Sequence, residues 1–189
     1  CREDAWTPVN VDIINTGPSQ SGQITVPILT SVGAPKLLAN YTTSVELPSN
    51  SRKRYTLYVP STSFSDIYLG LPRGVQKRKL EARTEVGADD FLVVVVGGDP
   101  GHMKHLTGTR LSSVHFRARG LLRLEGELQV GNTAWDELPD SWLGWDGVDA
   151  VMLGDAGFAA ASSTQIEALL TWVQLGGSVI VPGGTFAPA

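Results

Sequence analysis

Cysteine is almost absent from this 189-residue chain, because its single cysteine is Cys1. One thiol excludes an intrachain disulfide and a cluster of thiolate metal ligands. Long apolar runs are also missing, since the longest covers only residues 91–96, whereas a membrane-spanning helix needs roughly 18 or more. Charged residues are sparse at 18%, and the net charge is −4. An acidic chain has no general attraction for nucleic acid, so we predict no nucleic-acid partner.

The charges that are present divide unevenly along the chain. Residues 1–90 hold ten Lys/Arg and nine Asp/Glu, whereas residues 91–189 hold five and ten. Both basic runs, 51–55 and 76–83, lie in the first half. Such a run can be the solvated face of a strand or turn, or an electrostatic patch for a partner or anionic lipid headgroups. The sequence leaves both interpretations open.

The first half of the chain has the pattern of a β-sandwich. Val9, Val11 and Ile13 alternate with polar residues, which is typical of a half-buried strand. Further strand-sized segments follow at 23–29, 41–48, 54–60, 66–72 and 79–86. Because Pro27 has no N–H, we expect its strand to lie at an edge or to contain a bulge. The spacing predicts an immunoglobulin-like antiparallel β-sandwich over residues 1–87.

The pattern changes over residues 88–189. The β-branched run 91–96 is typical of a strand buried on both faces of a parallel sheet. A helix is expected at 102–113, and further strands at 126–132, 148–154 and 178–182. The clearest helix is 162–177, which has one apolar stripe and a capping box starting at Ser162 or Thr164. This order predicts a partial flavodoxin-like three-layer α/β domain with a mostly parallel sheet.

Two segments of the second half carry a family resemblance. "LPDSWLGWDGVDAVMLGD" (138–155) and "SSTQIEALLTWVQLGGSVIVPGG" (162–184) resemble a pattern of class I glutamine amidotransferase-like domains. Domains of this type are common in bacterial envelope proteins of unassigned function, often behind a β-sandwich and with membrane segments elsewhere in the polypeptide. The resemblance covers residues 90–184 and implies the flavodoxin-like fold, without fixing a function.

The resemblance does not carry an active site with it. Active members of the family use a Cys nucleophile at a strand-to-helix turn and a later His paired with an acidic residue. This chain has no Cys after Cys1, so we assign no catalytic residue. The interpretation we favour is a non-catalytic copy. The alternative is an amidohydrolase or amidotransferase whose catalytic half is absent from this chain.

A third alternative is a small anion-binding or sugar-binding domain. The candidate ligand-binding residues are Gly97, Gly98, Asp99 and Gly101, which follow the first parallel strand, and Asp155, which follows a later one. Doubly wound sheets bind ligands at the carboxyl ends of their strands. Glycines there permit close approach of the backbone, and a helix start favours anions. A plain tight turn explains the same residues, and we predict no metal and no cofactor.

Three tryptophans are crowded into eleven residues: Trp135, Trp142 and Trp145. Exposed, they would form a surface for a protein partner or a sugar. Buried, they would cover the sheet edge.

The predicted function is a non-catalytic extracytoplasmic binding or assembly module of a membrane-associated bacterial envelope protein. Cys1 is a candidate lipidation site, because a mature chain that begins with Cys resembles a bacterial lipoprotein. The expected partners are other envelope or membrane protein subunits.

Overall fold

The computed structural model describes most of the chain, in two compact units. The described residues are Arg2, 5–29, 34, 36–61, 66–79, 86–87, 89–98, 101–117, 120–154 and 157–181. The first unit comprises Cys1 and Glu3–Glu85, and the second comprises Arg2 and Val86–Ala189. No helix within the described residues is long and apolar enough to cross a membrane.

The first unit is built from antiparallel strands. They are β1 (Trp6–Asn15), β2 (Gln20–Leu29), β3 (Leu37–Leu47), β4 (Ser51–Pro60), β5 (Asp66–Leu71) and β6 (Gly74–Lys79). β1 and β4 form one sheet, and the other has the order β3-β2-β5-β6. Apolar side chains from both sheets share one core, which makes the unit a β-sandwich. The predicted β-rich, antiparallel character is confirmed.

The alternation in β1 explains which face of the strand is buried. Val9 and Ile13 are buried and Val11 is half-buried, while Asn10 and Asp12 point to solvent. Successive side chains of a strand point to opposite faces, so a polar residue at every second position keeps one face apolar.

Pro27 lies on an interior strand and not at an edge. β2 has β3 on one side and β5 on the other, but β5 pairs only with Gln23–Thr25. Pro27 therefore lies beyond the β5 pairing, where β2 needs no N–H donor on that side. The expected irregularity is present, because the register with β3 shifts between Ile28 and Leu29.

The last strand of the sandwich begins earlier than the sequence predicted. The expected strand was 79–86, whereas β6 is Gly74–Lys79 and forms a hairpin with β5. Pro72 and Arg73 connect the two strands, a loop length common in hairpins. Residues 80–85 lie outside the described residues.

The second unit contains one five-stranded sheet. Its elements are β7 (Phe91–Val96), α1 (Gly101–Lys104), β8 (Arg110–Arg117), β9 (Gly120–Thr133), β10 (Ala150–Leu153), α2 (Ser163–Gln174) and β11 (Ser178–Ile180). The strand order is β11-β10-β7-β9-β8. β7 pairs in parallel with both β9 and β10, and β10 pairs in parallel with β11. β8 is an antiparallel edge strand.

The predicted helix at 102–113 is wrong beyond its first turn. α1 ends at Lys104, and residues 110–117 form β8, which pairs with β9. Gly108 has a φ of +82°, a left-handed conformation that interrupts a helix between these two elements. Hydrogen bonds that tie Gly108 and Thr109 to Leu128 then direct the chain into β8.

α2 packs against the sheet through one side. Ala168, Leu169 and Trp172 are its buried residues. Ser162 caps the helix: its hydroxyl accepts the Gln165 N–H at 3.3 Å, while the Gln165 side-chain oxygen accepts the Ser162 N–H at 2.8 Å. The capping box therefore uses the Ser162 register. The core beneath the helix consists of Val96, Trp135, Leu138, Trp145, Val151, Leu169 and Trp172.

Candidate functional site

The carboxyl edge of the parallel strands brings two predicted loops together. Gly97 and Gly98 follow β7, and Gly154 follows the neighbouring strand β10. A Cβ on Gly154 would lie only 2.5 Å from the Gly98 nitrogen, so the two backbones touch. Sequence reasoning missed Gly154, although its position directly after a buried strand was a usable signal.

Two backbone donors at this edge already have acceptors. The N–H of Gly97 donates to the Thr133 carbonyl at 3.0 Å, and the N–H of Gly154 donates to the Val96 carbonyl at 2.8 Å. Gly101 begins α1, whose four residues are too few to build a substantial helix dipole. The described parts of the loops after β7 and β10 thus allow the two backbones to pack closely.

The two carboxylates predicted for this site, Asp99 and Asp155, lie outside the described residues, as does Cys1. Among the residues that are described, no three His, Cys, Asp or Glu side chains come together as metal ligands would.

The tryptophan cluster is mainly core. Trp145 is 2% exposed and Trp135 is 4% exposed, so neither can present its ring to a partner. Trp145 packs against Trp172 of α2, with ring centroids 6.0 Å apart. The partner-surface prediction therefore fails for Trp135 and Trp145. Trp142, at 41% exposed, still presents an accessible surface.

The start of α2 holds the tryptophan-bearing loop. The Gln165 side-chain amide donates to the Leu138 carbonyl at 2.7 Å and to the Asp136 carbonyl at 3.2 Å. Its oxygen is already committed to Ser162 in the capping box. One side chain thus fixes both the helix start and the turn that buries Trp135.

The opposite, amino edge of the parallel strands contains an ionic network that the sequence did not reveal. Arg2 forms a bidentate ion pair with Asp149, at 2.7 and 3.1 Å, and also donates to the Asp90 carbonyl. Asp149 accepts the Leu92 N–H at 2.7 Å, and its own N–H donates to the Leu92 carbonyl. Asp149 lies directly before β10 and Leu92 is in β7, so this network sets the register of two strand starts.

Asp90 extends the network to a third strand. Its carboxylate accepts the N–H of Glu127 in β9 at 2.9 Å and the N–H of Gly87 at 3.0 Å. The Glu127 N–H is the main cause that holds the pKa of Asp90 below its ordinary value; burial opposes this effect, and the Gly87 N–H and Arg2 add to it. The carboxylates of Asp90 and Asp149 therefore stabilise the sheet by accepting backbone N–H groups.

Several large apolar side chains are exposed on α2, on β11 and on the residues next to these two elements. They are Leu170, Val173, Leu175, Ile180 and Val181, each between 36% and 65% exposed. We call these residues the β11-side surface. Leu170 and Val173 are three residues apart and hence neighbours on one flank of α2. β11 is the last strand in the order of the sheet.

The comparisons with known proteins concern the first unit. Residues 1–78 match the family model described as a domain of unknown function, DUF8726. The match spans β1 to β5 and most of β6, and covers fewer than half of the 189 residues. No curated protein matches the chain. The sandwich is therefore similar to a family whose description names no activity.

Proposed function

We propose that this chain is a non-catalytic binding or assembly module of a membrane-associated bacterial envelope protein, acting outside the cytoplasm. The observation that carries the proposal is the β11-side surface. Five large apolar side chains lie exposed on α2, β11 and the residues next to them. A contiguous exposed apolar patch is typical of a surface that binds another protein, and we infer that these five side chains form one.

The finer fold assignment is part of the same proposal. The second unit would be a flavodoxin-like domain of the glutamine amidotransferase-like type, and the first an immunoglobulin-like sandwich. Three parallel strand pairings, and the α2 connection from β10 to β11, support the former. In the first unit, the hydroxyl of Tyr55 bonds both the N–H and the carbonyl of Glu46, an arrangement similar to the tyrosine corner of immunoglobulin-like sandwiches.

A non-catalytic role agrees with the chemistry of the described carboxyl edge. The N–H groups of Gly97 and Gly154 donate within the fold, and the chain has no cysteine after Cys1 to act as the family's nucleophile. Its expected partners remain other envelope or membrane protein subunits.

A crosslinking experiment with matched variants tests the binding role. The purified chain is crosslinked to detergent-solubilised envelope proteins of its source cells, and amide hydrogen exchange is followed over residues 163–181. We expect a specific crosslinked partner and slowed exchange there. The double variant L170Q/V173Q should lower the yield of the crosslinked partner about tenfold or more, because it removes two of the five apolar side chains of the surface.

The matched control is E167A/Q174A, which changes two exposed polar neighbours of Leu170 and leaves the apolar side chains in place. If apolar contact drives binding, this variant should behave like the wild type. An equal loss of the crosslinked partner in both double variants, or no loss in either, would contradict a role for this surface.

Incubation with glutamine tests the enzymatic alternative. Release of ammonia by the chain alone would overturn the non-catalytic assignment.

A further inference from the structure

β6 is an edge strand with no buried side chain. It ends the four-stranded sheet of the first unit and, within the described residues, pairs with β5 alone. All six of its residues are exposed, and Val75 is 70% exposed. Edge strands leave a row of backbone N–H and C=O groups without a ladder partner.

β6 lies outside the core of the sandwich, and neither face of the strand is covered. Residues paired across a ladder share a face of the sheet, so Arg78 lies on the same face as Ile67 and Gln76 on that of Leu69. Ile67 is buried and Leu69 packs against the core, yet Arg78 and Gln76 are exposed. The inward-pointing side of β6 is thus polar and accessible.

The cations of β6 lie on both of its faces. Lys79 is on the outward face and Arg78 on the inward one, with Arg73 in the preceding turn. A hydrogen bond at 3.0 Å joins Lys77 to Asp66, which raises the pKa of Lys77. In the described part of the chain, Arg73, Arg78 and Lys79 have no carboxylate within ion-pair distance.

We propose that β6 is the docking edge for an acidic, extended segment of a partner protein, which adds to the sheet as a further strand. The free edge supplies the main-chain hydrogen bonds of β-augmentation. Carboxylates on both faces of the incoming strand would meet Arg78 on one face and Lys79 on the other. A second copy of β6 would be repelled by the same charges, and a planar lipid surface would meet only one face.

A peptide-binding experiment on the full chain tests this proposal. The probe is a fluorescent ten-residue peptide with the repeat Glu-Glu-Val-Val, which places carboxylates on both faces of an extended strand. Binding is measured by anisotropy and by hydrogen exchange over residues 74–79. We expect slowed exchange of β6 amides. Removing two cations in R78Q/K79Q should weaken binding about tenfold, on the basis of the usual contribution of exposed charge pairs. R52Q/K53Q, which removes two cations from the other basic run, should bind as the wild type does.

Three further outcomes would overturn the proposal. A peptide with the same charges but proline in place of valine cannot form a ladder, so equal binding would indicate charge attraction only. Equal binding of a Lys–Val peptide would exclude charge recognition. Binding of phosphatidylglycerol vesicles that is lost in R78Q/K79Q, without Glu–Val peptide binding, would assign the patch to lipid. None of these results depends on the β11-side surface, so the two proposals fail separately.

Discussion

At the residue scale, Asn15 is the clearest case of a buried polar group that the fold requires. Its side-chain nitrogen lies within 3.1 Å of the carbonyls of Pro18, Leu47 and Pro48, and its oxygen accepts the Gly17 N–H. One side chain therefore joins the β1–β2 turn to the β3–β4 turn. The sequence could not show these contacts, because Leu47 and Pro48 lie 32 and 33 residues from Asn15 along the chain.

We predict that Asn15→Ala lowers the free energy of unfolding of the first unit by about 2 kcal/mol, because buried carbonyls and an N–H lose their partner. Hydrogen exchange over residues 6–60 measures the change. Asn10→Ala is the control: the Asn10 side chain is exposed and accepts a hydrogen bond from the Thr56 hydroxyl, so its effect should stay within about 0.5 kcal/mol. Equal effects of the two variants would contradict the role of Asn15.

At the scale of elements, the sequence predicted the strands and helices that have a local pattern. β1 and α2 follow from alternation, an apolar stripe and a capping box, all of which are read within a few residues. β8 was missed because its identity depends on pairing with β9, a partner that no local pattern specifies. The same reason explains the early start of β6, whose side chains carry no buried face to produce a pattern.

Contact between two loops makes Gly154 a sensitive position. We predict that Gly154→Ala destabilises the second unit by about 2 kcal/mol or more, because its Cβ would overlap the backbone of Gly98. Gly131→Ala is the matched control, since its Cβ would meet only side chains at 3.8 Å or beyond, and its effect should stay within about 0.5 kcal/mol. Urea unfolding followed by tryptophan fluorescence measures both. Similar midpoints would show that the loops separate easily.

At the scale of the whole molecule, the candidate site was only partly predictable. The sequence placed Gly97 and Gly98 after a parallel strand, and the structure puts them there, with Gly98 in contact with Gly154. It could not tell that the tryptophans fill the core, because aromatic spacing alone does not separate a buried cluster from an exposed one. Nor could it pair Arg2 with Asp149, which lie 147 residues apart.

Each unit contains a carboxylate whose pKa lies below its ordinary value. In the first unit the cause for Asp12 is mainly its hydrogen bond with Arg54, and in the second unit the cause for Asp90 is mainly the Glu127 N–H. A lowered pKa in the folded state means that folding favours the charged form. The stability from each group is therefore fully present above the unfolded-state pKa of about 4 and is lost as the pH falls through the folded-state value.

We expect acid to weaken the second unit mainly through Asp90, because its carboxylate joins backbone groups of the sheet, whereas Asp12 is an exposed partner of arginines. Tryptophan fluorescence mainly follows the second unit, because four of the five tryptophans belong to it. The urea midpoint measured in this way should fall as the pH drops below about 4. Asp90→Asn should lower the midpoint at neutral pH and flatten its decline in acid. Asp12→Asn should leave this fluorescence profile unchanged. If Asp90→Asn retains the full wild-type decline, other groups control the acid sensitivity of the sheet.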